Sequence, residues 1–181
     1  MIESTSLRSG QLKPEDWDNV AGGISSLSGC DIYIDDTSAI SATDMKAKLR
    51  RIPNLGLVVI DYIGLMQSTT SSDNRAVQVG EISRNLKIMA KDFGVPIICC
   101  AQLNRGTESR SAGDRRPTLS DLRDSGSIEQ DADVVMFLYR EEYYKDIGAK
   151  SDGGTDDAAN TAEVIVAKNR HGEVGVVKMG W

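Results

Sequence analysis

At 181 residues, with 40% apolar and 27% charged residues, the chain is long enough for one domain with a hydrophobic core and ordinary in composition for a globular protein. No run of about 18 apolar residues occurs and the N-terminus lacks the basic-then-apolar pattern of a leader, so neither a membrane span nor a signal peptide is expected. A net charge of −6 excludes broad nucleic-acid binding by the whole surface, although a local basic stretch, NRGTESRSAGDRRP at 104–117, carries Arg105, Arg110, Arg115 and Arg116.

In chain order, Pro14 suits the first turn of a helix over roughly 14–27. DIYID at 31–35 alternates like a strand. SATD at 41–44 is a capping-box pattern, followed by Met45, Leu49 and Ile52 at helical spacing. The apolar run Leu57, Val58, Val59, Ile60 reads as a strand covered on both faces, hence a parallel sheet. A polar loop then leads into a helix of about 75–93, with Ile82, Leu86, Met89 and Phe93 in one apolar stripe, Lys87 elsewhere on the surface, and Gly94 as its stop. VPIICCAQ (95–102) and DVVMFLY (133–139) are two more buried strands, and AEVIVAK (162–168) with VGVVKM (174–179) form a hairpin around NRHGE. The polar, glycine-bearing stretch 145–160 is expected to be mobile, like 104–117. Cys30, Cys99 and Cys100 read as buried, reduced thiols of a cytoplasmic protein, and no metal-site spacing is present.

The apolar strand at 56–61 ends in Asp61. A terminal Asp is often only a turn cap. In parallel sheets, however, ligands sit beyond the carboxyl ends of the strands, where Asp61 would be placed to hold Mg2+ in the Walker B position of a P-loop NTPase. Gln102 closes the next strand, as a strand cap or as an uncharged amide able to detect a phosphate oxygen. Lys168 and Arg170, two apart, point the same way from the hairpin, as solvated charges or as a working pair.

Taken together, IDYIGLM, EISRNLK, AQLNRG, DLRDSGSIEQDADVV and KNRHG resemble the C-terminal motor domain of the DnaB-type hexameric replicative DNA helicases of bacteria and their phages, from about Leu7 to the C-terminus. The resemblance implies an α/β, RecA-like, mostly parallel sheet flanked by helices with a C-terminal antiparallel hairpin, here as one partial domain over 1–181. It implies ATP hydrolysis at subunit interfaces with Mg2+, translocation on single-stranded DNA, a homo-hexameric parent, and a helicase loader and primase as partners. Residue by residue, Asp61 matches the magnesium-holding aspartate, Gln102 the γ-phosphate sensor, and Lys168 and Arg170 the basic pair that reaches the neighbouring subunit's ATP. Arg123, Asp124 and Gly126 match the loop that touches DNA phosphates, Gly126 by letting backbone approach phosphate and Arg123 by supplying charge.

The sequence departs from the family's pattern at Asp124, where Glu is usual, and at Gly64, where Gln is common. No G-x-x-x-x-G-K-[ST] occurs, so no phosphate cradle is present, and Tyr62 rather than a catalytic Glu follows Asp61. The chain is therefore expected to be a motor fragment, inactive alone. In the RecA-like order the phosphate-loop strand lies between the strand of Gln102 and that of 133–139. Without it the sheet has a gap, closes up, or takes another segment into the slot. A RecA-like recombination or repair ATPase, and an ATPase-dead module that binds helicase subunits, are the alternative readings.

Overall fold

The computed structural model describes residues 2–104, 110, 115–141 and 161–180, with the backbone alone for 123–125. The stretch 145–160 and most of 104–117, expected to be mobile, lie outside the described residues. The chain forms two compact units, one up to Thr37 and one from Ser38.

The first unit holds helices α1 (Ser4–Ser9) and α2 (Pro14–Leu27). Pro14 opens α2, as its fixed φ favours. The strand expected at 31–35 is not formed: Ile32, Tyr33 and Ile34 are exposed and pair with no described strand. Alternation prepares a strand face, but a ladder needs a partner for its amides and carbonyls.

The second unit begins with α3 (Ala42–Leu49), capped as its sequence predicts: the Ser41 hydroxyl accepts from the Asp44 amide at 3.1 Å. Strand β1 (Val58–Ile60) pairs in parallel with β2 (Ile97–Cys99), Val58 facing Ile97 and Ile60 facing Cys99. The long helix α4 (Arg75–Phe93) joins them, starting at an Asn74 cap and stopping at Gly94. Its Ile82, Leu86 and Met89 lock with Val58, Ile60, Ile63 and Met66 into the main core. The polar loop before α4 is tied back to it. Glu81 accepts from Ser68, from the Thr69 amide at 3.1 Å and hydroxyl at 2.5 Å, and from Asn85 at 3.1 Å. These bonds, Ser68's foremost, hold its carboxyl below the usual range.

After β2 come a 3-10 segment (Leu119–Ser125), the short helix α5 (Gly126–Asp131) and a three-stranded antiparallel sheet, β3 (Val134–Tyr139), β4 (Thr161–Asn169) and β5 (Gly175–Gly180), in that order. The hairpin is thus found where it was read, with a bulge in the β3–β4 pairing between Val135 and Met136.

The class is α/β, as expected, and three points follow from the fold. First, β2 and β3 are not neighbours: the described strands form two separate sheets, so of the three outcomes expected for the slot between the strand of Gln102 and that of 133–139, a gap is the one seen among the described residues. Second, the apolar strands are covered on one face only. Val58 and Ile60 are buried, whereas Val59 is 61% exposed; Val135 and Phe137 are buried, whereas Leu138 is 79% exposed. Within this unit the helical layer of α3 and α4 packs against the buried face of β1, that of Val58 and Ile60. Third, the cysteines are free but not buried. Cys30 and Cys100 are exposed and Cys99 is half-buried, its thiol pushed up to about 11 by burial and by Cys100. Among the described residues no helix is long and apolar enough to cross a membrane.

Candidate functional site

The parallel pairing brings Asp61 and Gln102 to adjacent strand ends. Beyond Ile60 the two chains stay joined: Cys100 donates its amide to the Ile60 carbonyl at 2.8 Å, and Ile63 donates to Cys100 at 3.0 Å. Both side chains are exposed and neither bonds to another described residue. A carboxylate and an amide, each without a described partner, therefore stand at the carboxyl edge of the sheet, where ligands bind in α/β folds. No cluster of three metal-ligating residues exists among those described. Asp61 alone fits a magnesium ion that comes with a nucleotide, because that ion takes most of its ligands from phosphates and water and only one or two from carboxylates.

Gly64 also acquires a reason. A Cβ there would sit 2.3 Å from Cε2 of Tyr62, so the ring lies where a longer residue would begin. The Gly64 carbonyl accepts from Arg75 Nη2 at 2.6 Å, which ties this turn to the start of α4.

The segment carrying Arg123, Asp124 and Gly126 is fastened at both ends. At its start, Asp121 is buried and accepts from the Thr118 amide at 2.7 Å, from the Thr118 hydroxyl at 3.0 Å and from both terminal nitrogens of Arg110. Burial pushes the Asp121 carboxyl up, but the Thr118 and Arg110 bonds outweigh it and leave the group below its ordinary value. The Asp121 carbonyl takes the Asn104 amide at 3.2 Å. The side chains of Arg123 and Asp124 lie outside the described residues. Gly126 has an ordinary helical φ of −51°, and a Cβ there would meet nothing within 4 Å. Nothing inside the described chain demands glycine at 126, which leaves its backbone open to an approaching group.

At the far end of the segment stand Lys168 and Arg170. Lys168 lies near the end of β4 and Arg170 in the turn just after it, so only one of the two is a strand residue. They nevertheless converge. Lys168 Nζ donates to the Glu129 carbonyl and, at 3.5 Å, to that of Gln130; Arg170 Nη2 donates to the same Gln130 carbonyl at 3.1 Å. These carbonyls belong to the last turn of α5, the negative end of its dipole. Arg170 Nη1 lies 3.5 Å from Asp133 Oδ1, and Lys87 from α4 bonds the other oxygen of the same carboxylate. Lys87, read as a surface charge, is thus half of a link between α4 and the start of β3. Lys87 first, then Arg170, hold the Asp133 carboxyl below its ordinary value despite partial burial.

Asp133 and the Arg110–Asp121 pair are the residues that sequence reading missed. Their partners lie 46 and 11 positions away, and no local spacing reports such a contact. The described arginines of 104–117 are bound within the protein. Arg110 is on Asp121. Arg116 grips Glu163 through two bonds of 2.9 Å and lies 5.8 Å from the Tyr139 ring centre. Arg115 donates to the Arg110 carbonyl at 3.1 Å. Arg105 is outside the described residues.

Comparison with known proteins gives the family of the chain. The replicative DNA helicase DnaB of Geobacillus stearothermophilus is 47% identical over 185 residues, and DnaC, the replicative DNA helicase of Bacillus subtilis, 46% over 184. Each match covers 99% of this chain and 38% of the relative, so the chain spans well under half their length. Among solved structures, a DnaB-like replicative helicase, described with its interactions with primase, superposes at a TM-score of 0.84 with 37% identity, over 99% of this chain and 43% of that one. A second solved structure, an isolated ATPase domain, gives the same TM-score and identity and is covered over 62% of its length. The model of the DnaB-like helicase C-terminal domain matches residues 1–181, which decides between the helicase and recombination readings: the chain belongs to the DnaB-like helicase C-terminal domain family.

Proposed function

We propose that residues 1–181 are a partial RecA-like domain of a replicative DNA helicase, a cytoplasmic homo-hexamer that hydrolyses ATP at subunit interfaces and moves along single-stranded DNA. In this reading Asp61 holds Mg2+ on the nucleotide of its own subunit and Gln102 meets the terminal phosphate. Lys168 and Arg170 reach the nucleotide of the neighbouring subunit, and Arg123, Asp124 and Gly126 form the DNA-phosphate loop. A helicase loader and primase are the protein partners. The observation that supports it is the double fastening of 119–131: one end is bonded to the strand extension that carries Gln102, the other to Lys168 and Arg170.

The chemistry asked of this chain is positioning and charge. The bound metal would neutralise phosphate oxygens as the terminal phosphoryl group leaves. Asp61 offers an exposed carboxylate for that ion. Gln102 offers a neutral amide that donates to a phosphate oxygen without changing the charge of the site. Arg170 has five N–H donors and spends two on Gln130 and Asp133, so donors remain for a phosphate outside its own subunit.

The test is complementation in full-length rings carrying this segment. Rings made wholly of Asp61→Asn or wholly of Arg170→Ala subunits are expected to lose ATP hydrolysis. Mixing the two subunits at equal amounts should restore about a quarter of the sites, because an arginine finger acting in trans completes any interface that has one intact Asp61 and, on the neighbour, one intact Arg170. No recovery on mixing would overturn the reading.

A further inference from the structure

We propose that Asp133 is a positioning residue that makes α5 a strut between the intersubunit basic pair and the DNA loop. The inference rests on the assignment of Lys168, Arg170 and 123–126 made above and adds a residue and a linkage to it. Asp133 sits where three elements meet: it follows α5, precedes β3, and is bonded by Lys87 of α4. Its carbonyl accepts the Arg170 amide at 2.8 Å while its carboxylate stands 3.5 Å from the Arg170 guanidinium, so one residue holds both the backbone and the head of Arg170.

What Arg170 and Lys168 grip from that position is the end of α5. Glu129 and Gln130 carry the accepting carbonyls; Gly126, at the other end of the helix, follows Arg123, Asp124 and Ser125 in the chain. Six helical residues span about 9 Å at 1.5 Å each, too short a rod to bend. Donor counting shows that the grip need not be released when a phosphate is bound: an ammonium has three N–H donors and a guanidinium five. A shift of the pair toward a neighbour's nucleotide therefore carries the C-terminal end of α5 with it, and the loop at the other end must move. Asp133 makes the transfer stiff. Without its charge, Arg170 keeps its carbonyl bonds but loses its anchor to α4 through Lys87.

Coupling of this kind is reciprocal and is measured as a ratio. In full-length rings carrying this segment, the affinity for a labelled oligo-dT strand is measured with a non-hydrolysable ATP analogue and without nucleotide. The wild-type ratio is expected at about 5–150, the usual range for coupled sites. Asp133→Asn, which keeps the shape and removes the charge, should lower the ratio about fivefold or bring it to one, and Asp133→Glu should restore most of it. If Asp133→Asn does not form rings, Lys87→Gln, which leaves Asp133 in place but unanchored from α4, should lower the same ratio. A ratio unchanged by either variant, in rings whose wild-type value is above one, overturns the strut while leaving the assignment of the basic pair intact. A wild-type ratio of one overturns the strut as well, and if complementation also fails, the assignment of the basic pair falls with it.

Discussion

The amide of Asn104 donates to the carbonyl of Asp121 at 3.2 Å. Asn104 lies two residues beyond Gln102, and Asp121 two residues before Arg123, so one backbone hydrogen bond joins the two segments. A displacement at Gln102 has at most about 7 Å of chain to cross on each side of that bond. The far end of the same segment is held by Lys168 and Arg170. The candidate DNA loop is therefore suspended between two attachments, which the proposed function assigns to different nucleotides of a ring.

The start of that segment should be acid-sensitive. Asp121 has a carboxyl depressed below its ordinary value, so it contributes stability above that value, near 3.8, and loses it as pH falls through the lower folded value. Asp121→Asn should cost about 1–3 kcal/mol at neutral pH, because the buried acceptor of Arg110 and Thr118 loses its charge. It should also flatten the decline in stability below about pH 4. Urea denaturation of the two proteins across about pH 2.5–7 measures both effects. An unchanged slope in acid would place the sensitivity on another carboxylate.

Gly80 lies inside α4 against α5. A Cβ there would be 2.6 Å from Ser127 Oγ and 3.1 Å from Ser127 Cβ. Alanine at 80 gains about 1 kcal/mol of helix propensity, but overpacking costs about 1–3 kcal/mol. Gly80→Ala is therefore expected to be neutral to destabilising by up to about 2 kcal/mol, and adding Ser127→Gly should recover the loss by removing the clash. Thermal melts of the single and double variants decide it. A clear rise in Tm for Gly80→Ala alone would mean that α5 yields at no cost.

Arg123 is expected to bind a DNA phosphate and no base. In full-length rings, Arg123→Ala should weaken single-strand binding alike on every base composition. It should also flatten the log–log salt dependence by about 0.7 for each phosphate no longer neutralised. Hydrolysis without DNA should persist, since the proposed nucleotide sites rest on Asp61, Gln102, Lys168 and Arg170. Binding to homopolymers and mixed strands over a salt series tests this. Weakening confined to one base composition would point to base reading instead.

The 181-residue chain by itself should not turn over ATP and should bind it weakly. Asp61 is one exposed carboxylate, no cluster of three metal-ligating groups is present among the described residues, and the sequence has no phosphate loop. Titration calorimetry with Mg-ATP should give no micromolar affinity; a Kd in that range would show that the edge formed by Asp61 and Gln102 binds nucleotide unaided.

Local chemistry made much of this legible in the sequence. α2 begins at Pro14, and α4 runs from its Asn74 cap to Gly94, close to the expected bounds. The Ser41 cap, the Ile82–Leu86–Met89 stripe and the closing hairpin follow from the same short-range rules, because the atoms responsible lie within a turn or a strand spacing of one another. Asp61 and Gln102 were readable for the same reason: each ends an apolar run, and parallel pairing carries strand ends to one edge. What only the tertiary structure decided are relations beyond the reach of local rules: the open faces of β1 and β3, the exposed side chains of Ile32, Tyr33 and Ile34 where a strand was expected, the enclosure of Asp121 by Arg110, and the junction of Lys87, Asp133 and Arg170. Burial and charge pairing depend on which segments the fold brings together, and a charge in the sequence carries no mark of the partner that will neutralise it.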